Sequence, residues 1–232
     1  MVTLKSHIVR MTAQGLGNPS HCPVCTGPDI SPFQTIDARA YWACATCEAR
    51  FLARRHFLSR GEELATYLQH ENHPDDPQYR SFLSKLADPL LARLPPGARG
   101  LDYGCGPGPA LAEMLCEAGH EVALYDPFFA PDPSPLSATY DLITCTETVE
   151  HFHTPHAEFA RLRALLRPGG WLAVMTCFQT DDARFADWHY RKDLTHVVFY
   201  RAGTFQYLAR AWGWGCEVPV KDVALMQRPL SG

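Results

Sequence analysis

No apolar run in the sequence approaches the ~20 residues that a membrane-spanning helix needs, which excludes a helical membrane protein. The first stretch, Met1 to Gly17, also lacks the uninterrupted apolar core of a secretory leader, so a cytoplasmic location is expected. Positive charge is in short supply as well. Against 25 acidic residues stand 21 lysines and arginines, and a formal charge of −4 argues against a protein that coats nucleic acid, while leaving room for a local basic patch. Cysteine is not lacking: there are nine, but a chain of 232 residues that is 46% hydrophobic can bury one α/β core and needs no disulfide framework. The cysteines must therefore be read by spacing.

Four of them pair off. Cys22-Pro-Val-Cys25 and Cys44-Ala-Thr-Cys47 are two C-x-x-C turns separated by eighteen residues, the spacing of a four-cysteine zinc site. Each turn offers two thiolates, and the residues between, with Phe33, Tyr41 and Trp42, are expected to form a hairpin that brings the turns together. Four sulfur ligands leave no open position for water, which makes the expected Zn²⁺ structural. A redox pair is the alternative, but redox C-x-x-C motifs usually occur singly, before a helix. Cys105, Cys116, Cys145, Cys177 and Cys216 fall singly on expected core elements or the glycine loop and read as reduced packing residues.

The centre of the chain is Leu101-Asp-Tyr-Gly104-Cys-Gly106-Pro-Gly108, a short apolar strand breaking into a glycine loop before an amphipathic helix with Leu111, Met114, Leu115 and Ala118 on one face. Glycines let the backbone turn sharply and approach a ligand where helix N–H groups converge. Spacing narrows the ligand. The dinucleotide fingerprint G-x-G-x-x-G would need glycine where Pro109 stands, so an NAD-type domain is the weaker reading. Glu121-Val-Ala-Leu-Tyr-Asp126 reads as a second strand ending in an acid able to accept both hydroxyls of a ribose.

The pattern Asp102-x-Gly104-x-Gly106-x-Gly108 resembles motif I of the class I S-adenosylmethionine-dependent methyltransferases. That resemblance implies an α/β, Rossmann-like sheet of seven strands, here preceded by a small zinc-ribbon module. It implies S-adenosylmethionine as cofactor, with Asp102, Tyr103, Gly104, Gly106, Gly108, Asp126, Pro127, Thr146 and Glu147 around it. The expected organisation is a tail over 1–19, the ribbon over 20–60, a linker and covering helices over 61–95, and the methyltransferase domain over 96–232. Residues 70–77 are polar and proline-rich, as a linker should be. Tyr79, Phe82, Leu83 and Leu86 follow helical spacing, and Asp88-Pro89 is expected to restart a second short helix. Four prolines within 127–135 exclude a regular helix, so the family's third strand and its helix are shortened or missing, and Phe128 and Phe129 become candidates for the adenine wall.

Chemistry is expected after the fourth and fifth strands, because ligands sit beyond the carboxyl ends of parallel strands. Asp141 to Cys145 is the fourth strand in family order and feeds Glu147-Thr-Val-Glu150-His151. As a helix this segment would place Glu147, Glu150 and His151 on one face, fit for acid–base work or for a divalent cation. The pattern E-x-x-E-H resembles the ubiquinone-biosynthesis O-methyltransferases, which implies a catalytic divalent metal there. His153 and His156 fall off that face and are expected at the surface. Thr154-Pro155 opens the next helix, Pro168-Gly-Gly ends it, and Trp171 to Thr176 forms the fifth strand. Beyond it, Trp188-His189-Tyr190 and Thr195-His196 crowd aromatics and imidazoles into one loop, making His189 and His196 candidates for a general base or substrate clamp. The run resembles a group of bacterial methyltransferases, several with the same cysteine ribbon. Thr204 to Trp212 is the last helix, and Cys216–Pro219 with Asp222–Arg228 closes the sheet.

A base is needed only when the nucleophile carries a proton. His151, His189, His196 and Glu150 therefore favour an oxygen acceptor, or an activated carbon beside one, and the overall acidity, with no basic, aromatic-interleaved groove, favours a small molecule. The alternative is an RNA methyltransferase that uses the ribbon and Arg50, Arg54 and Arg55, although these read more simply as a solvated helix face. A cofactor-binding regulator without activity is a third reading.

Overall fold

The computed structural model describes residues 17–69 and 73–230. Residues 1–16 of the expected tail and 70–72 of the expected linker lie outside the described residues.

The ribbon comes first. β1 (Ile30–Ile36) and β2 (Arg39–Cys44) form the expected antiparallel hairpin between the cysteine turns, and β3 (Arg50–Leu52) pairs with β2. The arginine stretch is not a helix face, because Arg50 begins β3 and Arg54–His56 is a single 3₁₀ turn. α1 (Arg60–Tyr67) starts at a capping box in which Ser59 and Glu62 satisfy each other's backbone N–H groups. α2 (Pro77–Leu91) is capped by Asp76 and runs through Pro89 without a break, where two short helices were expected. Pro89 lies in the last turn, so its missing N–H deprives only the Lys85 carbonyl of a partner, and Leu83, Leu86, Ala87 and Leu90 keep one buried face.

The main sheet follows, with β4 (Arg99–Tyr103), α3 (Ala110–Glu117) and β5 (Glu121–Tyr125) giving the strand-loop-helix-strand unit read from the sequence. β6 (Tyr140–Thr146) lies parallel to β4, and α4 (Pro155–Leu165) leads into β7 (Leu166–Met175), where Pro168-Gly-Gly sits as an irregularity inside the strand. Thr154 does not cap α4 with its side chain, although Pro155 does take the first turn. α5 (His189–Lys192) is one turn, and β8 (Val198–Phe199) precedes α6 (Ala202–Trp212), β9 (Gly215–Glu217) and β10 (Val223–Gln227).

Among the described residues the main sheet has six strands in the order β5-β4-β6-β7-β10-β9, not the seven expected. The missing strand is the one that the proline-rich segment cannot form. Only a 3₁₀ turn, Ser134–Ser137, stands between β5 and β6. β5, β4, β6 and β7 are mutually parallel, while β10 and β9 close the sheet antiparallel.

β8 does not join the main sheet. It pairs antiparallel with β3, making the ribbon sheet four-stranded in the order β1-β2-β3-β8. Tyr41 and Phe51 of the ribbon consequently share one buried cluster with Phe185, Phe199 and Phe205. Arg50, only 8% exposed, donates to both carboxylate oxygens of Asp182, at 3.1 and 2.8 Å. His156 was expected at the free surface. It is exposed, but its backbone N–H donates to the Pro23 carbonyl at 3.0 Å, holding α4 against the first cysteine turn. Cys145 is buried as expected, whereas Cys116 is exposed on α3. None of the helices built from described residues is long and apolar enough to cross a membrane.

Candidate active site

A cleft of about 880 Å³ opens at the carboxyl ends of β4, β5 and β6. That lies toward the upper end of small-molecule pockets, which run ~300–1,000 Å³, and leaves room for two ligands side by side. Its floor is the glycine loop. Gly104 and Gly106 take φ of +81° and +63°, which favour glycine, and the Gly104 N–H donates to the Tyr125 carbonyl at 2.7 Å. Asp126 is held at the cleft edge by three backbone amides, with Gly106 donating to one carboxylate oxygen at 3.1 Å and Phe128 and Phe129 to the other at 2.8 and 3.0 Å. Phe128 and Phe129 line the same edge, where a flat base can stack.

Asp102 lies beneath the loop, 4% exposed, and accepts a 2.7 Å hydrogen bond from Thr144. Burial raises its pKa to about 6, against the opposing pull of that bond. The fold thus keeps a proton that the unfolded carboxyl, near 3.8, would release. The sign follows: this contribution is fully present below about pH 4 and lost as pH rises through about 6, by up to about 3 kcal/mol. In urea denaturation at a series of pH values, Asp102→Asn is expected to flatten the fall in stability between pH 4 and 6. An unchanged slope would contradict the assignment.

All nine residues expected around the cofactor line this cleft. Tyr103 does so with its hydroxyl turned aside, donating to Glu158 and accepting from Arg161.

The segment after β6 is not the helix expected. Glu147 takes φ +48° and only Val149–His151 makes a 3₁₀ turn, so Glu147 does not share a face with Glu150 and His151. Burial, reinforced by the Glu150 charge, pushes the Glu147 carboxyl up to about 9, which keeps it protonated at neutral pH. The third group beside Glu150 and His151 is His196. Ligand-capable atoms of Glu150, His151 and His196 all lie within 4.8 Å of one another.

Glu150 is fully buried. One carboxylate oxygen accepts from the Thr176 hydroxyl at 2.9 Å, and the other has no hydrogen-bond partner among the described residues. His196 is 7% exposed and its Nδ1 faces the Tyr190 carbonyl at 2.7 Å; His151 Nδ1 faces the Thr195 carbonyl at 3.2 Å. A carbonyl only accepts, so each Nδ1 carries a proton, and in a neutral His196 ring the lone pair lies at Nε2. Burial and the neighbouring His151 lower the pKa of His196, keeping the ring neutral and competent to take a proton.

His189 is not part of this group. It is exposed on α5 and outside the cleft, because the turn at 189–192 points it away while His196 folds back under Tyr190. His153, expected at the free surface, lines the cleft and bonds the buried Glu63 at 2.6 Å. Glu63, Tyr67 and Arg60 of α1 complete this wall, with the Arg60 guanidinium 4.3 Å from the Phe128 ring centre. The sequence signal for this wall was the Ser59-x-x-Glu62 capping box, which announces a helix next to the ribbon.

Four sulfurs gather at the other centre. Cys22 and Cys47 stand 3.6 Å apart, as do Cys25 and Cys44, and all four lie within 4.8 Å. A disulfide would need about 2.05 Å. Tetrahedral ligands at ~2.3 Å from one Zn²⁺ would stand ~3.8 Å apart, so the donor set fits that ion.

A family model described as a methyltransferase domain matches residues 75–217. The chain belongs to the methyltransferase family that this model describes. It is 31% identical over 179 residues to the biotin biosynthesis bifunctional protein BioCD of Bordetella avium, covering 68% of this chain and 36% of that protein. To the ubiquinone biosynthesis O-methyltransferase of the same organism it is 28% identical over 128 residues, 45% of this chain and 51% of the relative. The chain thus spans between a third and about half of the length of these relatives. Among solved structures it is similar to the N-methyltransferase NodS from Bradyrhizobium japonicum WM9 in complex with S-adenosyl-L-homocysteine, with a TM-score of 0.48 at 16% identity over 72% of this chain and 97% of that one.

Proposed function

We propose that the protein transfers the methyl group of S-adenosylmethionine to a small-molecule acceptor, through an oxygen or an activated carbon next to one. The observation that carries this is the pair of imidazoles, His151 and His196, set against the buried Glu150 in the same cleft as the glycine loop. Displacement at a sulfonium methyl is in-line, and holding donor and acceptor at the right approach can be worth ~7 kcal/mol or more. The glycine loop and Asp126 fix the donor. His196 Nε2 takes the acceptor's proton, and Glu150 stabilises the imidazolium so formed.

The divalent cation implied by the E-x-x-E-H resemblance would be held by Glu150, His151 and His196, with Glu147 left out. Bound there, it would supply a Lewis acid for an acceptor hydroxyl, and His196 would then serve as a ligand in place of the base. In the ribbon, Cys22, Cys25, Cys44 and Cys47 would hold a structural Zn²⁺. The RNA reading has lost Arg50, which is committed to Asp182, and keeps only Arg54 and Arg55 exposed.

Incubation with methyl-labelled S-adenosylmethionine and fractionated cell extract tests the acceptor class. Label is expected in the small organic fraction, and label in the RNA pool would overturn the proposal. With an acceptor in hand, His196→Ala is expected to lower turnover ~10²–10⁴-fold, the usual worth of a general base. Cofactor affinity should be nearly unchanged, and His189→Ala should match the parent in both. Equal losses at 189 and 196 would misplace the site.

A further inference from the structure

The ribbon makes its outermost hydrogen bonds to the segment that carries His196. Glu48 N–H donates to the Cys44 carbonyl and Cys44 N–H to the Ala49 carbonyl, so the second cysteine turn sets where β3 begins. β3 then pairs with β8, Arg50 opposite Phe199 and Phe51 opposite Val198. Leu52 N–H donates to the Val197 carbonyl at 2.8 Å, and Val197 N–H donates to the Glu150 carbonyl at 2.9 Å. From β2, one nitrogen of Arg39 donates to the Leu194 carbonyl at 3.2 Å and to the His56 carbonyl at 3.1 Å. His196 lies between these anchors, its ring centre 4.7 Å from that of His151.

Residues 193–197 are neither helix nor strand, and they span the gap between a one-turn helix and a two-residue strand. Fixing a free backbone costs conformational entropy, and the local bonds here, from Thr195 to Asp193 and from His196 to the Tyr190 carbonyl, tie the segment only to itself and to the one-turn helix α5. A reacting group must nonetheless be held to within ~0.5 Å by its surroundings. Here the surroundings include ribbon strands as well as Tyr190 and Glu150.

We propose that the cysteine ribbon is a positioning element of the active centre. The metal clamp fixes the Cys44–Cys47 turn, the turn fixes β3, and β3 with Arg39 holds residues 194–199 so that His196 stays against Glu150 and His151. This rests on the zinc and methyl-transfer readings above. Arg39 and Leu52 are positioning residues and act through His196.

The test uses full-length zinc-loaded protein with ¹⁵N-labelled histidine, S-adenosylhomocysteine as the binding probe, and two perturbations: Arg39→Met, and removal of Zn²⁺ by a chelator well below the melting temperature. The internal control is His120, whose Nδ1 accepts from the Ala98 N–H at 3.1 Å beside β4, away from the ribbon. In both cases the ring signals of His196 and His151 are expected to shift or broaden while those of His120 stay in place. The dissociation constant for S-adenosylhomocysteine should change by less than about threefold. Arg39→Lys, which keeps one donor, should restore part of the His196 signal. Unchanged His196 signals after both perturbations would overturn the proposal. So would joint loss of the His120 signals and of ligand binding, because the ribbon would then be a staple for the whole fold. Failure of the untreated protein to bind S-adenosylhomocysteine is a separate result, and it would overturn the reading of the cleft itself.

Discussion

Gly104→Ala is expected to weaken S-adenosylmethionine binding by on the order of 100-fold or more while leaving a folded protein. A Cβ at this position would stand 2.2 Å from Thr148 Cγ2 and 2.5 Å from its Oγ1, closer than real side chains approach. Thr148 has little freedom to retreat, since its hydroxyl donates to the Gly104 and Thr146 carbonyls at 3.1 and 2.9 Å. Overpacking of this kind costs ~1–3 kcal/mol, and the left-handed backbone, φ +81°, adds ~1–2 kcal/mol for any residue with a Cβ. Gly106→Ala is the control. It has the same backbone demand, φ +63°, but open space where the methyl would go, so its loss should be about thirtyfold or less. Calorimetric titration of the two variants checks this. Equal affinities for Gly104→Ala and the parent would mean that the loop is not the cofactor cradle.

Removing the ribbon metal should have the largest effect on stability. A structural four-sulfur zinc site contributes on the order of 10 kcal/mol to a module too small to fold on its own core. Chelation is expected to unfold the ribbon first, seen as a change in Trp42 fluorescence that tracks zinc release. Tyr41 and Phe51 would then leave the cluster they share with Phe185 and Phe199, and the remaining sheet should melt at a lower temperature. Cys44→Ser should reproduce both changes. Melting that is indifferent to a strong chelator would contradict the zinc assignment.

What could be read from sequence divides along the range of the interactions. The β4-loop-α3-β5 unit was legible because its demands are local: glycines where φ turns positive, and an acid at the end of the next strand. The ribbon hairpin was legible from two cysteine turns at a fixed spacing. The seventh strand, absent among the described residues, was half legible, since the prolines at 127–135 forbid regular structure without saying how the sheet closes around the gap. Nothing local distinguishes His189 from His196, which sit seven residues apart in one aromatic run; a single turn at 189–192 decides which ring enters the cleft. Glu147 left the expected helical face because its backbone turns left-handed at the end of β6, a conformation no propensity assigns to glutamate. The pairing of β3 with β8 joins residues almost 150 positions apart through a two-residue strand, which is too short for any periodicity to signal.

The most direct test of the central claim is a calorimetric titration of the full-length protein with S-adenosylmethionine and, separately, with NADH. One-to-one binding of S-adenosylmethionine that is lost in Gly104→Ala, with no heat from NADH, is the predicted result. Binding of NADH in its place, or S-adenosylmethionine binding that survives Gly104→Ala unchanged, would contradict the account.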